Sequence, residues 1–433
     1  MKKYYFKKLS NTQLKSLCQR KALRFDDILP VVKDVLAQVK ANGDKAVQEF
    51  TKKFDKVRLS SFAVTQQEID RACEHIPTNI QIAFREAAYN IEKFHKFQIN
   101  KQKEEIQSQV ETMPGVTCFT EIRAIEKVGL YIPGGTAPLP STVLMLAIPA
   151  RLAGCKEITI ITPPTKAGIV PDVILYASKM CGIKQVFKIG GAQAIAALAY
   201  GTESVPKVYK IFGPGNQYVT TAKMLVSIDP DGAAIDMPAG PTEVLVMADR
   251  LARTDFVASD LLSQAEHSAD SQSILVCTND KKAKEILDET KRQLRVLPRK
   301  EIAQKALDNS FALIVSNIEE AIAFSNMYAP EHLILNIKDS SKYIPKIVNA
   351  GSVFLGPYSC ESAGDYATGT NHSLPTYGYA RVFSGVSVSG FQKQVTFQKI
   401  TVQGAKKLAP IVSTMAECES LEGHKRAMQL RAR

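Results

Sequence analysis

The 433-residue chain has no run of about eighteen uncharged apolar residues, the length at which a segment becomes a candidate for a membrane-spanning helix. Its basic first residues are not followed by the apolar run and small-residue cleavage site of a secretory signal peptide. We therefore expect neither a membrane span nor secretion. The simplest prediction is a cytoplasmic protein.

No two of the eight cysteines form a Cys-x-x-Cys pair, so the sequence lacks the motif of zinc ribbons and thioredoxin-like sites. Their scatter in a chain without a secretion signal indicates reduced, mostly buried thiols. Any bound metal should therefore be held by nitrogen and oxygen atoms. The cysteines are Cys18, Cys73, Cys118, Cys155, Cys181, Cys277, Cys360 and Cys418.

Acidic residues are absent from positions 1–24, where eight lysines and arginines supply eight units of the net charge of +12. Such a basic arm could bind RNA, an acidic partner or a neighbouring subunit. Because the chain has no interleaved aromatic and basic module of the RRM type, we do not expect nucleic-acid binding and favour an arm that stabilises a dimer. The basic residues are Lys2, Lys3, Lys7, Lys8, Lys15, Arg20, Lys21 and Arg24.

Apolar residues make up 45% of the chain, and its length exceeds that of one typical domain, so we expect two sizeable lobes. The first hundred residues predict helices. Val31, Val35 and Val39 lie four apart, and Gly43 followed by Asp44 indicates a helix end and a new start. A second amphipathic helix is predicted by the series Ile80, Phe84, Ala87, Ala88, Ile91 and Phe94.

From about residue 128, short runs rich in valine and isoleucine alternate with segments long enough for a helix, such as 171–181 and 281–294. This alternation predicts parallel sheets in a three-layer α/β architecture, and the number of runs fits two sheets better than one. The alternation stops after about residue 386, and 417–430 predicts a terminal helix. The predicted strands are 158–162, 185–189, 208–212, 244–247, 274–277, 312–315, 333–335 and 352–355.

Three glycine-rich turns follow or end apolar runs: Gly134-Gly135, Gly190-Gly191 and the segment from Gly213 to Asn216. An open α/β sheet binds ligands at such places, where small residues let backbone N–H groups approach a phosphate. None of the three completes Gly-x-Gly-x-x-Gly, because Tyr218 occupies the third glycine position of the last turn. By pattern alone, tight turns are favoured over cofactor loops.

Two pairs of polar residues could carry chemistry. Gln264 and His267 lie three apart at the end of a predicted helix, so both can point at one metal ion. Glu331 and His332 stand where a strand begins and place an acid beside an imidazole. The structural alternative is a solvated or core histidine for the first pair and a strand-entry turn with two exposed polar residues for the second. For either pair alone, that alternative is favoured.

Two further polar segments follow. Residues 361–372 predict a polar loop, which is uncommon in a compact domain unless functional, and Asp365 in it could supply a carboxylate to a metal. Glu419, Glu422 and His424 lie on the terminal helix, where an ordinary solvated face is the alternative.

Only six histidines exist, and two of them, His75 and His95, read as structural. If they converge, Gln264, His267 and Asp365 would form with His424 a nitrogen-and-oxygen site suited to zinc, with manganese or cobalt as substitutes. Spacing alone does not establish that convergence.

Several longer strings resemble the histidinol dehydrogenase family. They include Ile189-Gly-Gly-Ala-Gln-Ala-Ile195, Phe212-Gly-Pro-Gly-Asn216, Leu262-Ser-Gln-Ala-Glu-His267 and Ala329-Pro-Glu-His332. The matching segments occur in order over nearly the whole chain, so coincidence is excluded. The remaining strings are 128–139, 236–245, 364–372 and 419–425.

The resemblance implies a zinc-dependent enzyme that oxidises L-histidinol through L-histidinaldehyde to L-histidine with two NAD, ending histidine biosynthesis. It implies one zinc ion per subunit. It also implies an intertwined homodimer with shared active sites, in which the C-terminal tail enters the site of the partner. Thr242 stands where the family commonly has serine, which keeps the hydroxyl group.

The resemblance also assigns roles to residues. Glu331 and His332 would be the catalytic acid–base pair, with His332 taking the substrate's hydroxyl proton and Glu331 activating water for the second oxidation. The zinc ligands would be Gln264, His267, Asp365 and His424. The substrate would contact Thr242 and Glu419, the catalytic pair and the zinc ligands, and the residues lining the NAD site would be Tyr131, Gln193 and Asn216.

We therefore predict an α/β protein of two lobes with incomplete Rossmann-like three-layer parallel sheets, an N-terminal helical arm and a C-terminal helical tail. A zinc hydrolase, with Glu331 as the base that activates a metal-bound water, is the alternative that the incomplete glycine motif leaves open. The predicted units are 1–25 for the basic arm, 26–129 with 242–386 for the main lobe carrying the metal and catalytic residues, 130–241 for the NAD-side lobe, and 387–433 for the tail reaching the partner.

Overall fold

A computed structural model of the chain describes residues 1–20, 25–106, 109–134 and 138–433. Gly135, Lys21 and Arg24, which the sequence singled out, lie outside these ranges. The α-helices, numbered in chain order, are α1 (Asn11–Leu17), α2 (Phe25–Phe50), α3 (Gln66–Glu74), α4 (Thr78–Ile106), α5 (Pro140–Ala153), α6 (Asp172–Met180), α7 (Gly191–Tyr200), α8 (Gln217–Ile228), α9 (Thr254–Ala265), α10 (Asp280–Leu294), α11 (Lys300–Asp308), α12 (Ile318–Tyr328), α13 (Glu361–Tyr366), α14 (Val402–Cys418) and α15 (Glu422–Arg431).

The strands are likewise numbered in chain order. They are β1 (Lys2–Tyr5), β2 (Val110–Met113), β3 (Val116–Ala124), β4 (Lys127–Tyr131), β5 (Glu157–Thr162), β6 (Gln185–Lys188), β7 (Lys210–Phe212), β8 (Ala234–Ile235), β9 (Glu243–Ala248), β10 (Gln272–Cys277), β11 (Phe311–Ile314), β12 (His332–Asn336), β13 (Ser352–Leu355) and β14 (Gln392–Ile400).

Two parallel sheets share one strand order. The five-stranded sheet runs β6-β5-β4-β7-β8, and the six-stranded sheet runs β1-β11-β10-β9-β12-β13. Leaving β1 aside, each sheet has the order 3-2-1-4-5 in its own strand sequence, which is the Rossmann order without its sixth strand. The prediction of two incomplete Rossmann-like sheets is confirmed.

Helices cover both faces of each sheet because the strands are apolar on both sides. On β9, Val244 and Val246 pack against α9 and α10, whereas Leu245 and Met247 pack on the opposite face with α12. In the five-stranded sheet, α5 and α6 bury one face while α7 and α8 bury the other. The three-layer prediction is confirmed for both lobes.

The N-terminal helices pack on the five-stranded sheet. Residues of α2 share a core with α7 and α8, and α3 and α4 contact α6 and α5. The predicted boundaries had grouped 26–129 with the other lobe, and those boundaries stay predictions. Gly43 adopts φ 51° and interrupts α2, as the sequence indicated. Val32 rather than Val31 continues the buried stripe, and Val31 is 42% exposed.

The helical predictions for the two ends of the chain are incomplete. Lys2–Tyr5 forms β1, which pairs in parallel with β11 at the edge of the six-stranded sheet. A third, antiparallel sheet, β14-β3-β2, joins the tail to residues 110–124. The tail therefore contains a strand before its two helices. Within the described part of the chain, none of the helices combines the length and the apolar character needed to cross a bilayer.

Candidate active site

The predicted catalytic pair lies at the amino end of β12, beside the amino end of β9. The two strands pair with His332 opposite Val244, so Thr242 and Glu243 come next to Glu331. Ala329 ends α12 in the left-handed region at φ 54°, which turns the chain sharply into the strand. Local structure thus places Glu331 and His332 on a rigid sheet edge.

Glu331 is buried and accepts two hydrogen bonds on one oxygen. Its Oε2 lies 2.5 Å from Thr242 Oγ1 and 2.9 Å from the backbone N of Glu243, both of which donate to it. Burial raises the pKa of Glu331 to about 7 against these stabilising contacts. A carboxyl group with a pKa near neutrality can act as a general base at physiological pH.

His332 is buried, and its two ring nitrogens have different surroundings. Nδ1 lies 3.2 Å from the carbonyl O of Glu243 and 3.5 Å from Glu331 Oε2. Nε2 lies 3.5 Å from Asp365 Oδ1, and no described residue hydrogen-bonds to it. A backbone carbonyl facing Nδ1 favours the tautomer with the proton on Nδ1, which leaves Nε2 as the basic nitrogen.

A possible metal-binding group adjoins this pair. His267, Glu361 and Asp365 each offer a ligand atom, and these atoms lie within 4.8 Å of one another. Glu361 and Asp365 are four apart on α13, so both project from one helical face. Among the described residues, this is the one group of histidine, cysteine and carboxylate side chains with metal-binding spacing.

Gln264 lies beside this group. With its amide oriented to satisfy the neighbouring atoms, Nε2 donates to Glu361 Oε1 at 2.5 Å and Oε1 lies 2.7 Å from Thr242 Oγ1. The sequence predicted both Gln264 and His267 at the end of one helix, but α9 ends at Ala265 and His267 follows it in a turn. The two residues nevertheless flank the same acidic group.

The site brings several carboxyl groups close to one buried imidazole. Although burial opposes protonation, the carboxylates of Glu361 and Glu331 raise the pKa of His332 well above its ordinary value. Burial, together with Asp365 and Glu331, raises the pKa of Glu361 well above its usual range. Three buried or partly buried carboxylates so close together favour a positive charge among them.

Two residues here were missed by the sequence prediction. The sequence predicted Glu361 in a polar loop, but residues 361–366 form a helix. The signal that could have identified Glu361 is its spacing of four residues from Asp365. The sequence predicted no role for His372. Its Nδ1 lies 2.9 Å from the carbonyl O of Asp365, and its Nε2 lies 3.2 Å from Thr142 Oγ1. It fixes the backbone that carries Asp365.

Glu419 lies in the turn between α14 and α15 rather than on the predicted terminal helix, and both Glu419 and His424 are exposed in the single chain. His424 is in α15, and the metal-binding group formed within one chain does not include it. Its predicted role requires the tail of a partner subunit and stays a prediction.

The three residues predicted for the cofactor lie at the carboxyl edge of the five-stranded sheet. Tyr131 ends β4, and its hydroxyl accepts a hydrogen bond from Gly191 N at 3.3 Å. Gln193 lies in the first turn of α7 and donates to Asp55 Oδ2 at 3.2 Å. Asn216 caps α8, accepting from Tyr218 N at 3.0 Å.

These positions surround the point where the strand order reverses between β4 and β7, the usual ligand crevice of such sheets. Gly213 there has φ +119°, and a Cβ on it would collide with the carbonyl O of Tyr131. A buried ion pair holds the turn: Asp236 Oδ2 accepts from Gly213 N at 2.8 Å, and Lys223 Nζ donates to Gly213 O at 2.7 Å. Neither member of this pair was predicted.

The comparisons with known proteins agree with one another. A family model described as histidinol dehydrogenase matches residues 18–432. A histidinol dehydrogenase of Bacteroides fragilis (strain YCH46) is 53% identical over 420 residues, covering 97% of this chain and 96% of the relative. The chloroplastic histidinol dehydrogenase of Arabidopsis thaliana is 50% identical over 432 residues, covering 100% and 91%. The crystal structure of histidinol dehydrogenase from Elizabethkingia anophelis matches with a TM-score of 0.93 at 50% identity, covering 100% and 98%.

Proposed function

The chain belongs to the histidinol dehydrogenase family, and we propose that it oxidises L-histidinol through L-histidinaldehyde to L-histidine with two NAD, as the last step of histidine biosynthesis. One observation carries the proposal. The buried acid–base pair Glu331 and His332 lies against a metal-binding group that contains His267 and Asp365. An enzyme that orients an amino alcohol and removes its hydroxyl proton needs this combination.

The residues present fit a zinc ion. Gln264, His267 and Asp365 would hold it together with His424 of the partner subunit, a mixed nitrogen-and-oxygen set that zinc accepts. Gln264 contacts Glu361 of the metal-binding group, and its amide would turn so that the oxygen rather than Nε2 faces that side when the ion is bound. When bound, the zinc would hold the amino and imidazole nitrogens of the substrate and bring its alcohol carbon to the nicotinamide.

A divalent cation would also lower the pKa of His332 and so favour its neutral, basic form. With the surrounding carboxylates uncompensated, the pKa of His332 is well above its ordinary value, and a protonated imidazole is no base. Two positive charges among Asp365 and its neighbours would offset that field and lower this pKa toward neutrality. Metal and base would therefore act together in the proposed site.

His332 would take the hydroxyl proton of the substrate on Nε2, the nitrogen without a hydrogen-bond partner among the described residues. Glu331 would then take a proton from the water that adds to the aldehyde carbon, while His332 would return its proton to the aldehyde oxygen. The neutral His332 would then serve again as base in the second oxidation. NAD would supply the hydride acceptor in both steps. Retaining the aldehyde in a closed site prevents its side reactions.

The NAD site would be the crevice lined by Tyr131, Gln193 and Asn216. The amino ends of α7 and α8 face this edge, and helix amino ends with small residues favour the phosphate groups of a dinucleotide. Thr242 and Glu419 would contact the substrate, with Glu419 contributed across a homodimer interface. Shared active sites of this kind require two subunits.

The direct test is an assay with histidinol, NAD and zinc, with and without a chelator. We expect two NADH per histidinol and loss of turnover on chelation. Release of free aldehyde with one NADH would contradict the second step. The zinc hydrolase, the alternative raised by the incomplete glycine motif, would produce no NADH at all, so the same assay separates the two functions.

A further inference from the structure

Arg20, in the predicted basic arm, is buried at the amino edge of the six-stranded sheet, next to the predicted catalytic pair. Its side chain is 8% exposed. Nε donates to Glu243 Oε2 at 2.8 Å and Nη2 to Glu243 Oε1 at 2.7 Å, which is a bidentate ion pair. Its Cζ lies 3.6 Å from the ring centroid of Tyr328, so the guanidinium also stacks on an aromatic face.

The other three N–H groups of Arg20 bind backbone carbonyls. Nη1 donates to Tyr328 O at 2.7 Å and to Cys18 O at 3.0 Å, and Nη2 donates to Ala329 O at 3.2 Å. All five donors of the guanidinium are therefore used. Two of these carbonyls belong to the left-handed turn that leads into the catalytic pair.

The residue whose carboxylate Arg20 binds, Glu243, also contacts the catalytic pair through its backbone. The backbone N of Glu243 donates to Glu331 Oε2, and the carbonyl O of Glu243 faces His332 Nδ1. Ala329 precedes Glu331 by two residues and sets the direction of the turn. Arg20 thus binds on both sides of the catalytic pair: Glu243 on β9, and Tyr328 and Ala329 at the end of α12.

We propose that Arg20 is a positioning residue that fixes Glu331 and His332 by joining the carboxylate of Glu243 to the carbonyls of the turn before β12. This inference rests on the proposed function for its catalytic readout. A lysine cannot replace the guanidinium, because three donors on a point charge cannot serve five acceptors in a plane. The N-terminal segment is then part of the active-site framework as well as an edge strand.

Arg20→Lys and Arg20→Met test the proposal, with Lys15→Met as the matched control, since Lys15 is exposed on α1 of the same segment. The measurements are kcat and KM for histidinol, the thermal midpoint, and the rate at which diethyl pyrocarbonate modifies His332, read by mass spectrometry. We expect kcat of Arg20→Lys to fall by about tenfold to a hundredfold, the effect of displacing catalytic groups by about 1 Å, with KM changed little. His332 should react faster than in wild type, and Lys15→Met should match wild type in every measurement.

A purely structural anchor predicts a different result: a lower thermal midpoint, with kcat and His332 reactivity unchanged in the folded protein. That result in Arg20→Lys would overturn the proposal, and if Arg20→Met does not fold, Arg20→Lys alone decides. Failure of the proposed function is distinguishable, because wild type would then form no NADH. In that case the reactivity of His332, which needs no turnover, still decides the role of Arg20.

Discussion

Replacing Glu331 with glutamine should separate the two oxidation steps. The amide keeps one oxygen, which can accept from Thr242 and the backbone N of Glu243 as Oε2 does now. Because burial already raises the pKa of Glu331 to about 7, a neutral side chain is well tolerated at this position. The fold and the site of the metal should therefore survive, and the change isolates the loss of a base.

The size of the effect follows from that role. Losing a general base costs about a hundredfold to ten-thousandfold, or roughly 2.7–5.4 kcal/mol of transition-state stabilisation. We expect this loss for oxidation of histidinaldehyde, where Glu331 would take a proton from water. Oxidation of histidinol, in which His332 would be the base, should fall by less than about tenfold.

The assay is a comparison of single-turnover NADH formation from histidinol and from histidinaldehyde, with Glu319→Gln as a control on the exposed face of α12. Glu331 acts as a base only without its proton, so the wild-type aldehyde rate should rise with pH through about 7. The glutamine variant should lack that rise. Equal losses for both substrates, or an unchanged pH profile, would refute the assignment of Glu331.

Further changes test the rest of the site. His332→Asn should slow both oxidations by about a hundredfold or more, because one base serves both, and single-turnover rates with each substrate would show it. Co-expressing His267→Ala and His424→Ala subunits should restore activity in mixed dimers that neither variant has alone, if His424 of the partner subunit completes the metal site. Lys223→Met should lower the free energy of unfolding, measured by urea titration, by about 3–5 kcal/mol, because it leaves Asp236 buried and unpaired, and should raise KM for NAD.

The parallel sheets could be predicted because their strands are continuous apolar runs. Val244, Leu245 and Val246 are fully buried on both faces, and nothing about that pattern depends on distant residues. The three-stranded sheet has no such signal, because most of β14 is exposed and its partner β3 lies more than 250 residues earlier. Strand β1 was not predicted for the same reason, because its residues form a strand only by pairing with β11.

The candidate site was predictable through family motifs, whereas the residues that connect its parts were not. A dipeptide such as Glu331-His332 belongs to a recognisable string. Arg20 belongs to a segment rich in basic residues, and four of its five acceptors, the two carboxylate oxygens of Glu243 and the carbonyls of Tyr328 and Ala329, lie more than 200 positions away. Contacts between residues so far apart in the sequence cannot be predicted from the spacing of neighbouring residues.

The proposed ligand sites lie at opposite edges of the two sheets, and helix electrostatics gives a reason. The predicted cofactor residues lie at the carboxyl edge of the five-stranded sheet, where α7 and α8 begin and helix amino ends favour anionic phosphates. The metal-binding group lies at the amino edge of the six-stranded sheet, where α9 ends beside Gln264 and the negative end of the helix favours a cation. A zinc ion at the carboxyl edge of the five-stranded sheet would face positive helix amino ends. A dinucleotide phosphate beside Gln264 would face the negative end of α9. Helix electrostatics therefore favours the proposed arrangement, with NAD at the carboxyl edge of one sheet and the metal ion at the amino edge of the other.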